Sequence, residues 1–258
     1  MLEETRLHRI RLLLSSLNRV STEHIIQHLG VSRETVRRDV LKLEAQGVLR
    51  RVHGGIVAIG AEPEPPLSVR NTVREQEKLA IAQLAAQQLK AGQTLFIDAG
   101  STTALLAGEL LRLPGMTIIT NSLNVALKLT AAETEAYSPH DVILLGGHMG
   151  AASQATSGAL TVTEIQRYRA DVALLSPVGI ASQSGASSFS HHEAAIAGAM
   201  SRSSRQRIML ADHSKIGITS RVIYASPADI DILISDSASR NNADLTALQA
   251  TCGQVLLT

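Results

Sequence analysis

Tryptophan is absent from the 258-residue chain, and the other aromatics (Phe96, Phe189, Tyr137, Tyr168, Tyr224) amount to 2% of it. Aliphatic side chains and alanine must fill the core, and a function that stacks bases or sugars on several aromatic faces is excluded. Cysteine is nearly missing as well: Cys252 alone cannot form an internal disulfide and fits a reducing cytoplasm. No run approaches the ~18 consecutive apolar residues of a transmembrane helix. The first residues carry Glu3, Glu4, Arg6, Arg9 and Arg11 without the apolar stretch of a secretory signal. A cytoplasmic location with no membrane partner is expected. Charge of one sign is also lacking, since the formal net charge is +1. What remains is an ordinary globular composition, 45% apolar and 18% charged, with length for one or two domains.

The near-zero charge is unevenly spread. Residues 1–60 hold ten Lys/Arg against six acids, whereas the remainder holds 14 against 17, so a head of +4 precedes a body of −3. Such asymmetry suggests a nucleic-acid-facing module, although a solvated, charge-rich surface has the same composition. Between head and body, residues 58–70 include Pro63, Pro65 and Pro66, which cannot continue a helix or a central strand. The expected organisation is a head over 1–58, a linker over 59–71 and a body over 72–258.

Three helices fit the head. Leu7, Ile10, Leu13, Leu14 and Leu17 form one stripe over about residues 4–17. Ser21 and Thr22 open a second helix that buries Ile25, Ile26 and Leu29 and stops at Gly30. Ser32 caps a third, with Val36, Val40 and Leu43 inward and an end at Gln46-Gly47. The short, glycine-containing turn between the second and third is a helix-turn-helix signature. Arg33, Thr35, Arg37 and Arg38 crowd the first turns of the third helix, where a recognition helix meets base edges and phosphates. A solvated helix with a Glu34–Arg38 surface pair accounts for the same residues. Residues 48–57 then read as a β-hairpin turning at Gly54-Gly55, with Arg50, Arg51 and His53 beside the turn. Packed against a helix-turn-helix, this hairpin is a wing.

The string VSRETVRRDVLKLEAQGVLRRVHGG, residues 31–55, resembles the winged helix-turn-helix of the DeoR family of bacterial transcription regulators. The resemblance places Ser32, Arg33, Thr35, Arg37 and Arg38 on the recognition helix and residues 51–55 in the wing. Ser21, Thr22, Arg50, Arg51 and His53 join them as expected DNA-facing residues.

In the body, apolar runs at 94–98, 117–120, 142–145, 172–175, 208–210, 230–234 and 255–257 alternate with helical stretches, one of them through Lys78, Leu79, Ile81, Ala82, Leu84 and Leu89. This pattern argues for a mostly parallel α/β sheet covered on both faces. Ligands on such sheets bind at the carboxyl ends of strands. There the sequence places Asp98, a loop over 99–103 with Gly100, Ser101, Thr102 and Thr103, then Thr120, Asn121 and Ser122, and Gly146-Gly147. Hydroxyls and helix-terminal amides after a glycine make a phosphate cradle, and they equally make an ordinary N-cap. Glu193, Asp212 and Lys215 also follow apolar runs; a carboxylate suits sugar hydroxyls and Lys215 suits a phosphate. The spacings of nucleotide-binding loops are absent, and so is a nucleophile elbow. His191, His192, Glu193 and His213 do not have metal-ligand spacing. No metal and no cofactor are expected.

The body is similar to the sensor domain of DeoR-type regulators, whose Rossmann-like fold resembles ribose-5-phosphate isomerase and which binds phosphorylated sugars. The matching positions are Asp98, Gly100 to Thr103, Thr120, Asn121, Gly146, Gly147, Gly158, Glu193, Asp212 and Lys215. One departure is plain: the family usually carries a lysine four residues after the glutamate, where this chain has Ala197, and Ser176-Pro177 also differs. The resemblance implies a sequence-specific DNA-binding repressor of a sugar or polyol operon. Its partners would be an operator duplex, a phosphorylated sugar effector and further copies of itself, as a homodimer or homotetramer. The alternatives are an isomerase-like enzyme carrying a DNA-binding head, and a scaffold whose head binds protein.

Overall fold

The computed structural model describes residues 3–17, 19–52, 54–58, 67–131, 140–150 and 153–258. The chain forms two compact units, Met1–Val69 and Arg70–Thr258.

The first unit runs α1 (Glu3–Leu17), β1 (Arg19–Ser21), α2 (Thr22–Leu29), α3 (Arg33–Ala45), β2 (Leu49–Val52) and β3 (Gly55–Ala58). Its core is the expected set of stripes: Ile10, Leu13 and Leu14 of α1, Ile25 and Leu29 of α2, and Val36, Val40 and Leu43 of α3. Gly30 ends α2 in the left-handed region at φ 63°, its amide on the Ile26 carbonyl. Asp39, 2% exposed, would be an isolated charge inside α3, but Arg6 of α1 reaches it with Nε at 2.7 Å and Nη2 at 3.1 Å. This two-pronged bond ties the first helix to the third.

The hairpin differs from expectation in two ways. Val52 pairs with Gly55, so the connection is residues 53–54 and Gly55 belongs to β3. Gly54 supplies the positive φ of 80°. Gly55 is needed for a different reason: a Cβ there would collide with the Val20 carbonyl oxygen of β1, which pairs antiparallel with β3. The strand order is therefore β1-β3-β2, a three-stranded wing. His53 lies outside the described residues.

The second compact unit begins within α4 (Leu67–Thr72), so that part of the expected linker is helical; residues 59–66 lie outside the described residues. It continues with α5 (Glu75–Ala86), β4 (Thr94–Ile97), α6 (Ser101–Leu110), β5 (Thr117–Thr120), α7 (Leu123–Thr130) and β6 (Asp141–Leu144). Next come β7 (His148–Gly150), β8 (Ala155–Ser157), α8 (Ala159–Gln166), β9 (Ala170–Leu175), β10 (Gly179–Ala181) and β11 (Gly185–Ser188). The chain ends with α9 (His191–Arg202), β12 (Ser204–Leu210), β13 (Val222–Ala225), β14 (Ile232–Ser235), α10 (Ala243–Gln249) and β15 (Gln254–Leu257).

All seven expected apolar runs enter one sheet, ordered β15-β14-β12-β9-β4-β5-β6, with every neighbouring pair parallel. Alternate side chains serve opposite faces. Leu95, Ile97, Leu174 and Leu210 pack with Ile81 and Ala85 of α5, Leu106 of α6 and Val125 of α7. Phe96, Leu175, Met209 and Leu233 pack with Ile165 of α8, Ile196 and Met200 of α9, and Leu248 of α10. A small antiparallel sheet, β10-β11-β13, contributes Ile180, Ala186 and Ala225 to that second layer. The direction of winding reverses between β4 and β9, a topological switch point where the loops diverge and leave a crevice.

Candidate functional site

The DNA-facing candidates lie on α2, α3 and the wing. Ser21 Oγ accepts the His24 amide at 3.2 Å and Ser32 Oγ accepts the Thr35 amide at 3.2 Å, so both serines cap helices. Arg33, Arg37, Arg38, Arg50 and Arg51 are exposed. Thr22, Glu23, Arg33, Arg37, Arg51 and Gly54 line a concavity of about 390 Å³ between the recognition helix and the wing. Carboxylates hold several of these cations in the free protein. Glu23 is 2.6 Å from Arg33, Glu34 is 3.7 Å from both Arg37 and Arg38, and Glu44 accepts the Arg51 amide and guanidinium at 3.0 and 2.6 Å. Two of these pairs are in close contact and the two with Glu34 are long, and exposed pairs of either kind contribute little stability.

The second group of candidates lies at the strand ends of the body, around the switch point. Gly100 caps α6, and Ser101 to Thr103 form its first turn, where a loop was expected. Asp98 leaves β4 and is nearly buried. Its Oδ2 accepts the Ser176 amide from beyond β9 at 2.7 Å, and its Oδ1 accepts Thr103 Oγ1 at 3.0 Å. Burial pushes its carboxyl up to about 6, against the pull of those two bonds and of Lys215 and Arg70. A Cβ on Gly100 would lie 2.6 Å from the Ser176 Cβ, so only glycine lets the two loops approach this closely. Lys215 donates to the Pro177 carbonyl at 2.6 Å and to Ser176 Oγ at 3.2 Å.

Three further cations reach this rim, and the sequence pattern did not single them out as site residues. Lys78 is 4% exposed, in the apolar stripe of α5, with Nζ donating to the Arg70 carbonyl at 2.6 Å. Burial, then the charge of Lys215, lowers its ammonium to about 8, with Arg70 and Arg74 acting in the same direction. Arg74 sits 3.7 Å from Asp212 Oδ1. Burial raises the Asp212 carboxyl, but Lys215, Ser214 and Arg74 outweigh it and the net shift is downward. Arg70, Arg74, Lys78 and Lys215 thus face Asp98 and Asp212, a net positive cluster. A lysine inside a stripe of otherwise buried apolar positions was the readable signal.

The remaining candidates divide. Thr120 Oγ1 donates to the Ile97 carbonyl at 2.7 Å and accepts the Ser122 amide, which knits β5 to β4. Asn121 Nδ2 donates to the Thr156 carbonyl, while its buried Oδ1 has no hydrogen-bond partner among the described residues; the same holds for the buried Thr102 Oγ1. Ser122 caps α7. Gly146 and Gly147 anchor α8: the Gly146 amide donates to Glu164 at 2.7 Å, and a Cβ on Gly147 would collide with Thr161 Oγ1. Glu193, in the first turn of α9, accepts Ser188 Oγ at 3.0 Å. His191 and His192 are exposed on the same turn, and His213 Nδ1 lies 2.9 Å from Asp236. Among the described residues no helix is long and apolar enough to cross a membrane.

Two family models match the chain. The DeoR-like helix-turn-helix domain matches residues 6–62 and the DeoR C terminal sensor domain matches residues 73–237. The chain is similar to the glycerol-3-phosphate regulon repressor of Escherichia coli, 34% identical over 218 residues and 84% of each chain. It is also similar to the HTH-type transcriptional repressor GlcR of Bacillus subtilis, 35% identical over 237 residues, 92% of this chain and 89% of the other. Ribose 5-phosphate isomerase A of Methanocaldococcus jannaschii matches distantly, with TM-score 0.39 and 17% identity over 55% of this chain and 54% of that one. That likeness says nothing about activity. With the two family models together spanning most of its length, the chain belongs to the DeoR family of DNA-binding transcription regulators.

Proposed function

We propose that this chain represses a sugar or polyol operon and leaves its operator when a phosphorylated sugar or polyol occupies the Asp98–Lys215 rim. The observation that carries the reading is the pairing of two kinds of unmet demand at one strand-end crevice. Thr102 Oγ1 and Asn121 Oδ1 are buried with no hydrogen-bond partner among the described residues, and four cations face two carboxylates. A phosphate dianion would meet the positive excess and the N-terminal end of α6, and its hydroxylated body would meet the two buried oxygens. Glycerol 3-phosphate, named in a relative, is the first ligand to try.

A sensing role is favoured over isomerisation by the way Asp98 is used. Both its oxygens accept bonds that hold the Ser176 and Thr103 loops together, whereas a general base must be free to take a proton from substrate. Ala197 adds no cation where the family resemblance leads one to look for lysine. The recognition helix reads one half-site, so two copies of the chain would bind a palindrome with half-sites ~34 Å apart.

The test is fluorescence anisotropy on a duplex selected from a random library by the full chain. Phosphorylated sugars and polyols should release it, and their unphosphorylated parents should not. Release by the parents alone would overturn the phosphate reading, and failure to select any duplex would overturn the repressor reading.

A further inference from the structure

Three features meet at the corner between α4 and α5. Arg74, the residue before α5, is held in the left-handed region at φ 53° and ψ 44°, a strained conformation for a residue with a Cβ. The Lys78 ammonium, buried one turn into α5, closes the corner by donating to the Arg70 carbonyl at 2.6 Å. The corner also faces the rim: Lys78 feels the charges of Lys215 and Asp212, and Arg74 stands beside Asp212. α4 spans residues 67–72, and the boundary between the two compact units falls within it, after Val69.

We propose that an anion bound at the Asp98–Lys215 rim draws the Lys78 ammonium off the Arg70 carbonyl, and that release of this corner carries the signal toward the DNA-binding unit. The inference rests on the effector reading above and adds the element on which the effector acts. The exchange is chemically favoured. The carbonyl is a neutral acceptor, so the bond is charge-assisted on the donor side alone, whereas a phosphate oxygen adds the opposite charge and with it a direct Coulombic attraction for the ammonium. The pinned corner is strained at Arg74, so an alternative arrangement lies close by. The rim and the corner share Lys78, so an anion that prefers the released corner shifts the corner's equilibrium, and DNA that prefers the pinned corner is by linkage weakened by the anion and weakens it in return.

Hydrogen exchange of the full chain, followed in peptides covering residues 67–78, tests this with glycerol 3-phosphate and inorganic phosphate as probes. A probe that raises Tm should speed exchange of the corner amides ~10-fold and loosen the selected duplex. Lys78→Met, which fills the buried site without an ammonium, should exchange at the fast rate with no probe. Its duplex affinity should already be the loosened one, indifferent to probe. Wild-type exchange at the corner unchanged by a probe that releases the duplex would overturn the inference. So would Lys78→Met exchanging at the slow wild-type rate without probe. If no phosphate monoester shifts Tm, the effector reading fails, and the probe-free comparison of Lys78→Met with wild type still decides the corner.

Discussion

Asp98 and Ser176 are joined across the reversal of the sheet: the carboxylate after β4 accepts the amide after β9 at 2.7 Å. The bond favours the ionised carboxylate, but the cost of burial outweighs it and holds the Asp98 carboxyl above its ordinary range.

The sign of that cost can be measured. The folded chain keeps the Asp98 proton up to about pH 6, whereas an unfolded aspartate loses it near its ordinary value of 3.8. Between those values the folded state binds more protons, so the Asp98 contribution to stability falls as pH rises and levels off above 6. Urea unfolding of wild type and Asp98→Asn from pH 4 to pH 7 should show the variant gaining on wild type across this window, by at most ~3 kcal/mol. A difference independent of pH would contradict a burial cost that outweighs the partners of this carboxylate.

Gly100→Ala forces a methyl group against Ser176, whose Cβ is 2.6 Å from the new atom. The two loops must separate, with a loss of ~1–3 kcal/mol of stability. Ligand-induced thermal shift should vanish along with it, and a variant that unfolds like wild type and still responds would place the crevice elsewhere.

Arg37 and Arg38 are exposed on one turn of the recognition helix, and Glu34 holds them only loosely at 3.7 Å. Their joint replacement by alanine should weaken the selected duplex and lower the magnitude of the salt slope by ~2, if each meets one phosphate. Anisotropy titrations at several salt concentrations read both quantities; an unchanged slope contradicts the assignment.

Glu23 is 2.6 Å from Arg33 in the concavity that also exposes Arg37 and Arg51. A DNA phosphate entering there must displace the carboxylate. Glu23→Gln should therefore tighten binding to an unrelated duplex several-fold, and the gain should shrink in an Arg33→Ala background. A gain of equal size in both backgrounds would reduce Glu23 to a general contributor of negative charge.

Much of this fold is legible in the sequence because local chemistry and burial agree. The three head helices follow from their stripes and from the Ser21, Gly30 and Ser32 boundaries, and the seven sheet strands follow from apolar runs covered on both faces. What escapes the sequence depends on contacts distant along the chain. β1 is three residues long and exists as a strand through its pairing with β3, which Gly55 permits by lacking a Cβ. Ser101 to Thr103 read as a loop because hydroxyls favour both turns and first helical turns. Asp98 and Lys215 are visible as strand-end residues, but Lys78 fits the helical stripe of α5, and only burial separates it from a surface lysine. Gly146 and Gly147 show the converse: their pattern resembles a ligand loop, and their contacts support α8.

The central claim is that the rim senses and the head reads. Its most direct test is a titration of the releasing ligand into preformed duplex complexes of wild type, Asp98→Ala and Thr102→Val. Thr102 offers a buried hydroxyl with no partner among the described residues, so valine removes little but that oxygen. The account predicts that both variants bind the duplex as wild type does and fail to release it. Release of either variant at the wild-type midpoint would contradict the account.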